Sequence, residues 1–150
     1  YRLYTEREEQ VAEMVTDTVY AMDTIAVADS IKVVRRVDEV KKRQVKKTVY
    51  HWDSGYVTPW EEVVNPVLAK AQKAGHRAFA ATSYASPEKL EQFKEATGSD
   101  YPFTTGDDIL LKTIVRSNPG VVLLKDGKII QKWHYKKLPA YEEIEAAYLR

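Results

Sequence analysis

Between residues 11 and 22 the apolar positions Val11, Met14, Val15, Val19 and Met22 recur at spacings of three and four. That period matches one face of an α-helix, and Thr5 stands as an N-cap ahead of the acidic first turn Glu6, Glu8 and Glu9. Val27, Ile31 and Val34, and separately Val33, Val37 and Val40, continue a helical spacing, although so many β-branched side chains lower helix propensity. With neither glycine nor proline in the stretch, residues 1–44 are expected to form a helical connector or appendage.

From about Val45 the pattern becomes an alternation of short strands and helices. Val45, Val49 and His51 share one parity of a first strand. Val63, Val64, Val67, Leu68 and Ala71 then mark one helical face that stops at Gly75. After the strand His76–Thr82, Ser86 caps a helix opened by Pro87, with Leu90 and Phe93 inward and Gly98 at its end. Tyr101–Thr105 reads as extended, and Asp107 or Asp108 starts a helix with Leu110, Leu111 and Ile114 inward. The apolar runs on either side of Asp126-Gly127 predict a hairpin with a type I′ turn, and Tyr141, Ile144 and Tyr148 stripe a last helix. The order β-α-β-α-β-α-β-β-α over residues 45–150 predicts an α/β domain whose mixed sheet is covered on both faces.

Charge changes the picture only locally. The 150 residues carry a net charge of +1, so no global field marks a nucleic-acid-binding surface. Arg35–Lys47, however, holds seven basic and two acidic residues. Such a run suits an anionic lipid surface or an acidic partner, although interleaved charges more commonly make only a solvated face; no aromatic residue interleaves with it to stack bases. No stretch approaches the roughly 18 apolar residues of a membrane span. The start at Tyr1 without a methionine fits a processed chain or a piece of a longer one. The absence of cysteine excludes disulfides, thiolate metal sites and thiol chemistry.

Candidate chemistry is sparse. His51, His76 and His134 lack metal-ligand spacing, so no metal or other cofactor is expected. Glu61 and Glu62 would point about 100° apart on a helix, which suits first-turn carboxylates better than a paired acid and base. Asp107 and Asp108 have the same explanation, and Ser54 and Ser83 lack a nucleophile signature. Trp52, Tyr56 and Trp60 crowd nine residues; such rings line partner grooves or fill cores.

The order of elements, together with Arg116-Ser117-Asn118-Pro119-Gly120, the apolar run Val121–Leu124 and the turn Lys125-Asp126-Gly127, resembles the thioredoxin fold. The resemblance implies a three-layer α/β/α domain with a C-terminal β-hairpin plus helix, and a cis Asn118-Pro119 bond. Matching Pro66 to the kinking proline of the family's first helix puts Thr58 and Glu61 where the thiols of the redox motif stand. Neither side chain can form a mixed disulfide, so a dithiol oxidoreductase is excluded.

Lys112-Thr113-Ile114, Lys132-Trp133-His134 and the stretch Ala80–Phe93 further resemble the C-terminal thioredoxin-like domain of bacterial DoxX-type membrane proteins. This implies a domain at the bacterial inner membrane, on its periplasmic side, with residues 35–47 near an anionic membrane surface. The expected function is that of a redox-inactive module binding a protein partner or extended peptide at a groove beside Pro119, through Trp52, Tyr56, Thr58, Trp60, Glu61, Asn118 and Pro119. The alternatives are an accessory domain of a thiol system whose cysteines lie on another chain, and a cysteine-independent enzyme using Glu61, Thr58 or His51.

Overall fold

A computed structural model describes the backbone of residues 3–27 and 30–150 and the side chains of residues 3–13 and 44–150. The chain divides into two compact units, Glu9–Val49 and the remainder, Tyr1–Glu8 with Tyr50–Arg150.

The smaller unit corrects the helical reading of residues 1–44. Strands β1 (Arg7–Val27) and β2 (Ser30–His51) pair in a two-stranded sheet. Their partners run in opposite directions, the Glu6 N–H donating to the His51 carbonyl and the Gln10 amide to Thr48 Oγ1. The valines, isoleucines and threonines spread through both strands lose χ1 freedom in a helix and fit a pleated ribbon. Spacings of three and four therefore misled, because β-branching decided the backbone. The expected side-chain facing of Met14, Val15, Val19 and Met22, and the basic run from Arg35 to Arg43, lie outside the described side chains; Lys46 and Lys47 are exposed.

The larger unit is a mixed α/β structure in the expected order. Helix α1 (Ser54–Pro59) continues through a π-turn (Trp60–Val64) into α2 (Asn65–Lys73). Then come β3 (Ala80–Thr82), α3 (Pro87–Thr97), β4 (Phe103–Thr105), α4 (Asp108–Ile114), β5 (Gly120–Lys125), β6 (Lys128–His134) and α5 (Tyr141–Ile144), which runs into a second π-turn, Glu145–Leu149. Local chemistry sets the ends. Ser86 Oγ accepts from the Lys89 N–H ahead of Pro87, Gly98 closes α3 at φ 64°, and Asp107 rather than Asp108 caps α4 by accepting from the Leu110 N–H at 2.8 Å. Asp126 and Gly127 both take positive φ, as the type I′ hairpin requires.

Pairing departs from the single mixed sheet expected. β3 and β4 pair in parallel, β5 and β6 antiparallel, each as a separate two-stranded ladder. Residues 44–51 are extended as expected, but within β2, whose partner is β1.

The core centres on Phe93, which is fully buried. Trp52, Tyr56, Trp60 and Phe103 surround its ring with centroids 5.0–5.9 Å away. Leu111 and Ile114 face the body as expected, whereas Leu110, also expected inward, is 57% exposed.

Candidate functional site

Asp53 sits in an extended conformation and its carbonyl accepts from the N–H groups of Tyr56 and Val57, which fixes the start of α1 at Ser54. Tyr56, Trp60 and Val64 follow at intervals of four and are all buried. The stripe carries the Tyr56 ring onto Phe93 and its hydroxyl toward the chain ahead of β5.

There the Asn118-Pro119 peptide bond is cis, as the resemblance implied. Tyr56 Oη–H donates to Asn118 Oδ1 at 3.3 Å. The turn is folded closely on itself. Ser117 Oγ–H donates to the Pro119 carbonyl, and a Cβ on Gly120 would come within 2.7 Å of the Val115 side chain and 2.9 Å of the Ser117 carbonyl. Only glycine fits that approach.

Tyr56, Trp60, Asn118 and Pro119 line one cavity of about 680 Å³. Its walls are largely apolar, with Val64, Leu68 and Ile144 contributed by helices. Ala80, Ala81 and Thr82 line it consecutively, as do Gly120–Leu124. Side chains alternate across a strand, so consecutive lining means that the cavity meets β3 and β5 edge-on. Its polar lining includes the Thr82 and Ser117 hydroxyls and the Asn118 amide, with His76 and Arg77 also on its wall.

Burial pushes the Tyr56 phenol up to about 12. The hydroxyl is thus a neutral donor at ordinary pH. A neutral phenol beside an amide can orient a ligand's polar groups; it supplies neither a nucleophile nor a base.

The remaining expected site residues fall elsewhere. Trp52 is half-buried, packs edge-on against Phe93 at 5.0 Å and does not line the cavity. Thr58 and Glu61 are exposed and do not line it. Because α1 starts at Ser54, the pair spaced three apart at its N-terminus is Ser54 and Val57, with Thr58 and Glu61 one turn further in. The signal was present in Asp53, an N-cap residue type directly ahead of Ser54-Gly55.

The histidines stay apart. His51 Nε2 lies 3.4 Å from Arg7 Nη2, His76 is exposed, and His134 sits at the end of β6. Among the described residues no group of three or more His, Cys, Asp or Glu could hold a metal ion, and no helix is long and apolar enough to cross a membrane.

No protein-family model, curated protein or solved structure matches the chain.

Proposed function

We propose that residues 50–150 form a redox-inactive thioredoxin-like domain that binds an extended segment of a protein partner beside Asn118-Pro119. One observation carries the reading: the Tyr56–Asn118 hydrogen bond joins the start of the first helix to a cis-proline turn, in a chain without cysteine. In this reading Ser54 and Val57 occupy the redox-motif positions, since a reactive thiol gains acidity at a helix N-terminus. The domain belongs to a bacterial membrane-associated protein, as its likeness to DoxX-type proteins suggests.

Installing the missing thiols tests this. A S54C/V57C double variant is expected to gain dithiol–disulfide exchange, read as reduction of a disulfide substrate by the reduced protein, whereas T58C/E61C gains much less. A folded S54C/V57C protein with no exchange activity sinks the thioredoxin-like reading. For binding, a photo-crosslinking residue at position 54 is expected to capture a discrete membrane-fraction protein, with N118R abolishing capture. Capture unchanged by N118R places the contact elsewhere.

A further inference from the structure

A second cavity, of about 490 Å³, lies between the end of α4 and β6. Arg116, Lys132 and His134 line it together with Trp133, Val115 and Thr113, and no carboxylate does. Lys132 and His134 are two apart on β6, opposite Val122 and Gly120 in the ladder, so both project from one face. All three cationic or donor side chains are exposed, and among the described residues the ion pairs Lys70–Glu142, Lys89–Glu8, Lys94–Glu91 and Lys112–Asp108 involve none of them.

The surroundings fix what these groups offer. His134 Nδ1 accepts from the Lys136 N–H at 3.1 Å, which leaves Nε2 to carry the proton of the neutral ring and to donate outward. Thr113 Oγ1–H is spent on the Ile109 carbonyl and Ser117 Oγ–H on that of Pro119. The groove therefore presents a guanidinium, an ammonium and an imidazole N–H, with an apolar wall at Val115.

We infer that Arg116, Lys132 and His134 form a binding site for a phosphate group. A guanidinium fork matches two phosphate oxygens, and the ammonium and imidazole supply donors to the rest. Lysine on the outer strand of a hairpin also guards against edge pairing, a role that needs neither Arg116 nor His134.

The test titrates the full 150-residue chain with inorganic phosphate at constant ionic strength, following the His134 ring resonances. Saturable shifts are expected with phosphate and not with chloride. R116Q and K132Q should each weaken binding about tenfold, while K125Q, beyond the groove, changes nothing. A second arm uses vesicles of anionic or zwitterionic phospholipid. Binding to the anionic vesicles that R116Q and K132Q abolish assigns the phosphate to a lipid headgroup, and phosphate binding without vesicle binding assigns it to a soluble ester. R116K preserves charge and guards against a failure to fold. Shifts equal with chloride, or unchanged in a folded R116Q/K132Q protein, overturn the proposal, as does a K132Q protein that merely aggregates while its phosphate response persists.

Discussion

The Tyr56 hydroxyl and the Asn118 side-chain carbonyl, 62 positions apart in the chain, meet at 3.3 Å. This contact ties the first helix of the larger unit to the turn that feeds its C-terminal hairpin. Tyr56→Phe keeps the ring on Phe93 and removes only the hydroxyl. The expected cost is about 1 kcal/mol, the ordinary net worth of one such bond. Urea denaturation measures it, and an Asn118→Ala background should erase the difference if the bond is its source.

Alkali should unfold the protein through two phenols. Burial pushes both Tyr56 and Tyr101 from the ordinary 10 up to about 12. The unfolded chain ionises these groups first, so the stability tied to them is fully present below pH 10 and is lost as pH rises toward 12. The loss amounts to roughly 2–3 kcal/mol per tyrosine. Thermal melts across that window, with phenolate absorbance followed in parallel, should show a falling midpoint that flattens in Tyr56→Phe and Tyr101→Phe.

Phe93→Ala should be the most damaging single truncation in the core. The ring is fully buried and makes aromatic contacts with Trp52, Tyr56, Trp60 and Phe103. Deleting it costs about 3–5 kcal/mol, much of a small domain's stability. Calorimetry that found a loss near 1 kcal/mol would mean that the surrounding rings collapse into the space.

Gly120→Ala probes the cis-proline turn sterically. The added methyl would sit 2.7 Å from Val115 and 2.9 Å from the Ser117 carbonyl oxygen, and that backbone atom cannot swing away like a side-chain tip. A loss of about 1–3 kcal/mol is expected. Gly106→Ala makes the control, because its nearest neighbour is the Leu111 side chain at 3.5 Å, an ordinary contact.

Where an element is set by its own neighbours, the sequence was a good guide. Ser86-Pro87 and Gly98 bound α3, Asp126-Gly127 turns the hairpin, and Gly75 follows α2 at positive φ. Residues 1–44 failed for a local reason too: helical spacing and β-branching pointed to different backbones, and β-branching prevailed. The site was half legible. Tyr56, Trp60, Asn118 and Pro119 were named from sequence and line one cavity, but Thr58 and Glu61 were placed by counting back from Pro66, and the helix starts four residues before Thr58.

Thus the sequence by itself determined the order of elements in residues 45–150, the caps and turns, and the exclusion of thiol chemistry, since each depends on residue type or on neighbours a few positions away. Tertiary structure decided the rest. It alone set which strands pair, and that the loop aromatics gather around Phe93. It also built the buried network in which the Asn65 side chain donates to the Thr97 carbonyl at 2.6 Å and accepts from Tyr101 at 2.9 Å. Such contacts join residues more than thirty positions apart, and what selects them is the burial of rings and the need to satisfy buried polar groups, neither of which has a period along the chain.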